Sequence, residues 1–253
     1  MMNKHEQTYT RYRNMIEADL EHLLTEIPAG QSGAELREML RYAVLGGGKR
    51  LRGTLSLAWG HSSGKRAQNA HSAAAAIEML HAYTLIHDDL PEMDNSAERR
   101  GQASLHAKYG HWQALLAGDL LQATAYDTLA QCGEARDLKT LLWAGKTVCE
   151  GQYLDLTESG ETDRVRRYLL ISKKTGALFS AACQMGHFSR SAARYGLYFG
   201  IAFQLADDLQ DKDGAAALFG EETIRRLITR YISKTKDCTN DAFLLWLADN
   251  IQQ

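Results

Sequence analysis

The segment at residues 67–94 reads AQNAHSAAAAIEMLHAYTLIHDDLPEMD. As far as His87 it consists largely of alanine and other strong helix formers, with apolar residues at steps of three and four. Pro91 interrupts this pattern just after the adjacent acids Asp88 and Asp89. The segment therefore predicts an apolar helix that ends in a cluster of carboxylates.

The same helical periodicity recurs along most of the chain. Only two prolines occur in 253 residues, and no alternation of apolar and polar residues is long enough to suggest a β-sheet. With no repeat or linker in view, these patterns predict a single all-α domain over residues 1–253, built from about ten helices. The clearest helical segments are Tyr9–Glu26, Gly33–Leu45, Ala67–His87, Gly110–Gln131, Leu138–Thr157, Ala192–Asp211 and Leu218–Ser233.

The composition is that of an ordinary globular protein. Hydrophobic residues make up 45% and the formal net charge is -2, so no global field attracts nucleic acid or an anionic membrane. The N-terminus is polar, and no window approaches the roughly 18 apolar residues of a membrane span. Four dispersed cysteines lack metal or redox spacing. We therefore expect a cytoplasmic protein without stable membrane insertion, in which local basic clusters hold any anionic ligand.

A second acidic cluster, formed by Asp207, Asp208 and Asp211, also closes an apolar helical segment. The C-terminal end of a helix is already negative, and adjacent carboxylates raise each other's pKa. The two clusters together therefore indicate a bound cation, although one such cluster alone would be equally consistent with a solvated helix end. Mg²⁺ is the natural candidate because it takes carboxylate oxygens and bridges to substrate phosphates.

The spacing within each cluster constrains how a metal can be held. Asp207 and Asp211 share one helical face with Gln204. Asp88 and Asp94 would point in different directions on an uninterrupted helix, so they can share a metal only if the backbone leaves helical geometry between them. The intervening proline favours such a departure.

Three basic segments complement the acids, and a diphosphate needs such cations beside Mg²⁺. Taken singly, each is more typical of solvated surface, but their combination with two acidic clusters indicates diphosphate binding. They are Lys49–Arg52 after a triple glycine, Arg99–Arg100, and the basic turn Lys173–Gly176. His81 shares a helical face with Asp88, with Thr84 between them, which favours substrate contact over the usual packing role of a lone histidine.

These motifs, in this order, resemble those of the trans-isoprenyl diphosphate synthases, most closely the bacterial farnesyl diphosphate synthases. The resemblance extends from about residue 40 to residue 213. Its matching segments are Gly47–Arg52, His81–Pro91 with Asp94, Arg99–Gly101, Gly118–Leu121, Gly151–Leu156, Lys174–Leu178 and Phe203–Asp211. It implies an isoprenoid-synthase helical bundle around a central cavity, and a homodimer.

The resemblance also implies a role for each matching residue. The Mg²⁺ ligands and their supporting acids would be Asp88, Asp89, Asp94, Asp207, Asp208 and Asp211. The residues that bind the allylic diphosphate would be Arg99 and Lys174, and those that bind isopentenyl diphosphate would be Lys49, Arg52, His81 and Arg100. The groups that stabilise the allylic cation would be Lys174, Thr175 and Gln204, while Thr84 and Tyr83 would contact the substrate.

Product length is expected to depend on Tyr83. In the family, an aromatic residue five positions before the first aspartate, with a two-residue insertion in that motif, accompanies short products. Tyr83 and the stretch Leu90–Met93 match this pattern. We therefore expect a C10 or C15 product, with C15 favoured.

One departure from the family concerns the stretch after Asp211. The family continues into a long glycine-rich loop with lysines, whereas here Lys212-Asp213-Gly214 leads almost at once into the next helix. This leaves open a degenerate homologue that acts as a non-catalytic or partner-dependent subunit. A terpene cyclase of the same fold is disfavoured, because the residues implied for isopentenyl diphosphate are all present.

Overall fold

The structure is a computed structural model that describes residues 2–27, 33–132, 134–157, 170–212 and 214–251. Pro28 and Asp213 lie outside the described residues. Within these ranges the chain forms twelve α-helices: α1 (Lys4–Glu26), α2 (Gly33–Leu45), α3 (Leu51–Ser63), α4 (Ala67–Asp88), α5 (Leu105–Tyr109), α6 (His111–Cys132), α7 (Ala135–Leu156), α8 (Ala177–Gly186), α9 (Arg190–Asp211), α10 (Gly214–Phe219), α11 (Glu221–Lys236) and α12 (Ala242–Asp249).

Helix α4 lies at the centre of the bundle. All residues from Ala73 to Ile77 are fully buried, as are Met79 and Leu80. Because α4 is apolar on every side it must be covered on every side. Its most extensive packing is against α6, and α1, α2, α3, α7 and α8 cover the remaining faces.

Helices α8 and α9 approach each other at backbone distance. A Cβ atom at Gly196 would lie 2.2 Å from the carbonyl oxygen of Phe179, so only glycine fits there. Helices α10 and α11 pack on α9, and α3 packs on α8. Near the C-terminus, the Tyr195 hydroxyl donates to the Leu244 carbonyl at 2.6 Å and ties α9 to α12. The all-α prediction is confirmed by this arrangement.

The structure differs from the predicted elements in three places. A two-stranded hairpin, β1 (Glu98–Arg99) and β2 (Gln102–Ala103), turns through Arg100 and Gly101, both at positive φ. The predicted helix over residues 218–233 is instead divided into α10 and α11 by Gly220 at φ 80°. The segment Lys173–Gly176, predicted as a basic turn, lies in a π-helical turn, Ser172–Gly176, that continues into α8.

None of these departures changes the helical framework, because each is a local response to a few residues. Two strand residues are too few for a periodic pattern, and a π-helical turn differs from an α-helix only in its hydrogen-bond spacing. None of the helices in the described ranges combines the length and apolar character that a membrane crossing requires.

Candidate active site

A cavity of about 770 Å³ opens between the C-terminal ends of α4 and α9. It brings together segments that are far apart in the sequence, including both acidic clusters and all three basic segments. The predicted site residues in its wall are Lys49, Arg52, His81, Thr84, Asp88, Asp94, Arg99, Arg100, Lys174, Thr175, Gln204, Asp207 and Asp211. Tyr83, Asp89 and Asp208 lie outside this wall.

The chain reverses direction immediately after α4, at the proline. The Asp94 amide donates to the Asp88 carbonyl at 2.9 Å, and the Met93 amide donates to the Leu90 carbonyl at 2.9 Å. This tight turn places Asp88 and Asp94 together in the cavity wall. The backbone therefore makes the departure from helical geometry that a shared metal requires.

Asp89 lies behind that wall. It is 3% exposed, and its carboxylate accepts two hydrogen bonds from Arg99 Nε, at 3.0 and 3.2 Å, and another from the same guanidinium. This multidentate pairing fixes the guanidinium of Arg99, which does line the cavity. Asp89 is thus placed to position a cation-bearing side chain rather than to reach a ligand directly.

The opposite wall is formed by one face of α9. Gln204, Asp207 and Asp211 share that face and line the cavity, as their spacing predicts. Asp208 points elsewhere: it is 3% exposed and accepts from Gln204 Nε2 and from the Ala215 amide, both at 2.8 Å. Asp208 therefore holds the first turn of α10 against the end of α9.

A short relay of hydrogen bonds fixes the amide of Gln204. Thr175 Oγ1 donates to Gln204 Oε1 at 2.8 Å, and Gln204 Nε2 donates to Asp208. Both ends of the amide are therefore occupied, so that its orientation is set by the protein. Thr175 and Gln204 come from the π-helical turn and from α9, two elements that pack directly on each other.

The basic side chains around Asp88 and Asp207 do not fully offset the effect of burial on these two carboxylates. Burial raises the pKa of Asp88 to about 6, with Lys174 opposing and Asp94 adding to the shift. Burial likewise raises the pKa of Asp207 to about 6, with Lys49 opposing and Asp211 adding to it. Carboxylates held in this way favour a divalent cation, and their oxygens are the ligands that Mg²⁺ prefers.

The described residues do not form a complete metal site by themselves. No three acidic, histidine or cysteine side chains among them converge closely enough to hold an ion. Mg²⁺ is commonly held by one or two carboxylates, with water and substrate phosphates completing its shell. The two facing pairs, Asp88 with Asp94 and Asp207 with Asp211, fit that mode of binding.

Two nitrogen atoms in the basic part of the wall are buried and have no hydrogen-bond partner among the described residues. The guanidinium of Arg52 lies 4.3 Å above the Phe179 ring, and its Nε makes no hydrogen bond there. Nδ1 of His81 is also unpaired, and burial, with nearby Arg52 and Arg100, holds the pKa of His81 well below its usual value. His81 is therefore neutral at physiological pH, beside cations that are ready to accept an anion.

Lys174 lies in the π-helical turn and reaches across to two acids. Its Nζ is 2.7 Å from Asp155 Oδ2 and 3.8 Å from Asp88 Oδ2. Helix α7 presses against this turn at Gly151, where a Cβ atom would lie 2.6 Å from the Lys174 amide nitrogen. Asp155 and Gly151 thus set the position of Lys174 in the wall.

Sequence reasoning missed a buried ionic network beneath the basic segment. Arg50 is 4% exposed, donates from Nε to Glu17 Oε1 at 2.7 Å, and lies 3.7 Å from Glu78 Oε2. Glu78 Oε1 also accepts from the Gly53 amide at 2.8 Å. The network ties the start of α3 to α1 and α4. A glutamate within the apolar run of α4 is the signal that points to it.

Tyr83 lies in a smaller cavity of about 230 Å³ beside the main one. This side chamber shares Thr84, Asp88 and Val148 with the main cavity. The Tyr83 ring packs edge-on against His87, with centroids 4.7 Å apart. The other residues that line the side chamber are Met93, Cys149, Gln152, Tyr153 and Leu156.

Comparison with known proteins identifies the family. Residues 33–227 match the family model described as Polyprenyl synthetase, which is more than half of the chain. The chain belongs to the polyprenyl synthetase family. The farnesyl diphosphate synthase of Haemophilus influenzae is 37% identical over 236 residues, which cover 86% of this chain and 78% of the relative. That of Escherichia coli is 38% identical over 209 residues, covering 73% and 68%.

Solved structures of polyprenyl synthetase relatives share the fold over nearly the full chain. A geranyltransferase from Legionella pneumophila superposes with a TM-score of 0.91 at 30% identity, covering 98% of this chain and 96% of that one. A geranyltranstransferase from Thermotoga maritima superposes with a TM-score of 0.88 at 26% identity, covering 97% of each chain. The predicted isoprenoid-synthase bundle is therefore confirmed.

Proposed function

We propose that this protein is an active short-chain trans-prenyltransferase. It condenses isopentenyl diphosphate with dimethylallyl or geranyl diphosphate to give geranyl or farnesyl diphosphate, with the C15 product favoured. The observation that most directly supports this proposal is a single cavity whose wall contains two facing carboxylate pairs and residues from three basic segments. Relatives named farnesyl diphosphate synthase support the same assignment.

The cofactor in this proposal is Mg²⁺, held by Asp88 and Asp94 on one wall and by Asp207 and Asp211 on the other. When bound, it supplies positive charge that draws electrons from the leaving diphosphate. Asp89 and Asp208 support these ligands from behind, through Arg99 and α10. Lys174 and Arg99 bind the allylic diphosphate, and the basic residues that bind isopentenyl diphosphate are Lys49, Arg52, His81 and Arg100.

The reaction then needs orientation more than nucleophilic side chains. The allylic C–O bond breaks and its electron pair leaves with the diphosphate. Thr175 and Gln204, fixed by their shared hydrogen bond, orient their dipoles toward the allylic cation. The double bond of isopentenyl diphosphate attacks this cation to form the new C–C bond, and the departing diphosphate takes the proton that is lost.

A second candidate is a non-catalytic or partner-dependent subunit. It is favoured by the short connection after α9, where Lys212 closes the helix in the left-handed conformation and Gly214 already begins α10. The cavity acids oppose it, because their raised pKa values make them a burden on a protein that binds no cation. We therefore favour catalysis.

We further propose that residues 1–253 act as one isoprenoid-synthase unit in a cytoplasmic homodimer. The exposed faces of α6 and α7 carry large apolar side chains, including Trp112, Leu116 and Trp143, of which Trp112 is 66% exposed. Apolar patches of this kind mark interaction surfaces. A second copy of the chain is the occupant that the resemblance implies.

The decisive experiment is an assay of purified protein with Mg²⁺, isopentenyl diphosphate and either dimethylallyl or geranyl diphosphate, with product chain length as the readout. We expect condensation that Asp88→Ala abolishes and that Glu222→Ala, at an exposed position of α11, leaves intact. No turnover by the wild type, with diphosphate binding still detectable, would favour the non-catalytic subunit instead.

A further inference from the structure

The connection between α2 and α3 carries Lys49 into the wall of the main cavity without secondary structure of its own. The neighbours of Lys49, which are Gly47, Gly48 and Arg50, all lie at positive φ. Among the described residues, none forms a backbone–backbone hydrogen bond with Gly47, Gly48 or Lys49. A glycine-rich segment of this kind has many accessible conformations unless side chains from elsewhere in the fold hold it.

Two such side chains hold the connection by its carbonyl groups. The hydroxyl of Tyr9, on α1, donates to the Lys49 carbonyl at 2.5 Å. Arg100, in the hairpin, donates to the Gly47 carbonyl. Arg100 also lines the cavity, so a bound anion would compete for its guanidinium, whereas Tyr9 does not line the cavity. The Tyr9 contact is therefore the one that can persist when substrate binds.

Tyr9 is itself fixed by the C-terminal part of the fold. Its ring contacts that of Trp246 on α12, with centroids 6.3 Å apart. His5, one turn earlier on α1, stacks on the same Trp246 ring at 5.9 Å. Burial raises the pKa of Tyr9, so its hydroxyl stays protonated at physiological pH and remains a donor. The Lys49 carbonyl is thus held by a side chain whose own position is set by α12.

We propose that Tyr9 is a positioning residue for isopentenyl diphosphate and that it acts through Lys49. This inference rests on the proposed function, in which Lys49 binds that substrate. By holding the Lys49 carbonyl, Tyr9 keeps the connection in the conformation that presents the Lys49 ammonium group to the cavity. A loop that is ordered before its ligand arrives loses less conformational entropy on binding, so the affinity is higher.

The effect of Tyr9 should be confined to the binding of one substrate. Tyr9 does not line the cavity, so it reaches the substrate only through Lys49. The diphosphate of isopentenyl diphosphate forms and breaks no bond in the condensation, so its contacts are equally strong in the ground state and the transition state. Loss of such uniform binding raises KM and leaves kcat unchanged.

The test compares Tyr9→Phe with the wild type, because phenylalanine keeps the ring against Trp246 and removes only the hydroxyl. We expect the KM for isopentenyl diphosphate to rise about fivefold, which corresponds to about 1 kcal/mol, the net contribution of one hydrogen bond. The kcat and the KM for geranyl diphosphate should keep their wild-type values. The dissociation constant of isopentenyl diphosphate, measured by calorimetry without an allylic substrate, should rise by the same factor.

A double-mutant cycle with Lys49→Met shows whether Tyr9 acts through Lys49. Lys49→Met alone should raise the KM for isopentenyl diphosphate, because it removes the ammonium group. We expect the addition of Tyr9→Phe to this variant to raise the KM no further, because no ammonium group is left to be positioned. A residue that merely stabilises the fold would show no such dependence on Lys49.

The matched control is Tyr12→Phe, on the same helix. The Tyr12 hydroxyl also forms a hydrogen bond to another helix, with Nδ1 of His61 on α3 at 2.7 Å, and Tyr12 lines neither cavity. Tyr12 is 4% exposed, so loss of its hydrogen bond should lower the melting temperature at least as much as Tyr9→Phe does. The KM for isopentenyl diphosphate should stay at its wild-type value.

A wild-type KM for isopentenyl diphosphate in Tyr9→Phe would overturn this inference and leave the proposed function intact. Equal rises of KM in the wild-type and Lys49→Met backgrounds would also overturn it, because Tyr9 would then act by another route. A rise of the same size in Tyr12→Phe would do so too, since destabilisation of α1 would explain both. Absence of condensation by the wild type would overturn the proposed function, and the calorimetric dissociation constants would then decide the role of Tyr9.

Discussion

Two carboxylates of the cavity, those of Asp88 and Asp207, lower the stability of the metal-free protein. The pKa of Asp88 and that of Asp207 rise from 3.8 to about 6, chiefly through burial. Between these values the folded protein binds protons that the unfolded chain has released. Stability of the metal-free protein should therefore fall as the pH rises from about 4 to just above 6, and these two groups should contribute no further change at higher pH.

Asp88→Asn should relieve part of this cost. At pH 7.5 we expect the metal-free variant to be more stable than the wild type by roughly 1–3 kcal/mol, since two pKa units correspond to about 2.7 kcal/mol. Urea unfolding at pH 7.5 and pH 4 measures the difference, which should shrink at the lower pH. Condensation should be lost at both. A variant less stable at pH 7.5 would contradict this account.

Tyr83 offers a separate prediction about product length. Its ring occupies the side chamber and packs against His87. Tyr83→Ala should enlarge the chamber and yield longer products with geranyl diphosphate as the starter, while kcat/KM for the first condensation changes little. Chromatography of dephosphorylated products measures the distribution. An unchanged distribution would remove Tyr83 from this role, and Tyr83→Phe, which keeps the ring, is the control.

At the scale of elements, two members of the second acidic cluster, Asp208 and Asp211, should respond differently to mutation. Asp208 is buried and accepts from the Ala215 amide, so it holds α10 against α9. Asp208→Leu should destabilise the fold by about 2–4 kcal/mol, because it strands buried donors. Asp211→Leu lies at an exposed position and should change stability little. Chemical denaturation of both variants is the measurement. Equal losses would contradict this division.

Helices α4 and α9 show which features of the site can be predicted from sequence and which cannot. Helix α4 and its terminal cluster follow from alanine-rich periodicity and a proline, and the face shared by Gln204, Asp207 and Asp211 follows from spacing alone. The orientation of Asp89 and Asp208 does not, because neighbouring carboxylates look alike until the turn and α10 are in place. The orientation of the Gln204 amide likewise depends on Thr175, which tertiary packing brings to it from a distant segment.

At the scale of the whole molecule, the apolar faces of α6 and α7 should be covered by a second chain. We expect the wild type to elute at twice the 28.2 kDa chain mass. Leu116→Glu should shift it toward the monomer, because a charge buried in an apolar interface is strongly unfavourable. Light scattering after size-exclusion chromatography measures the mass, and Arg230→Glu, at an exposed position of α11, is the control. A monomeric wild type would contradict the proposed homodimer.

The shortness of the connection between α9 and α10 has a kinetic consequence. With one residue between Lys212 and Gly214, this connection is too short to fold over the mouth of the cavity. Once the allylic diphosphate ionises, isopentenyl diphosphate and water from the bulk solvent therefore compete to react with the allylic cation. Capture by water gives a prenyl alcohol and condensation gives an elongated diphosphate, so the ratio of these two products measures the competition. Saturating isopentenyl diphosphate should therefore lower the yield of prenyl alcohol.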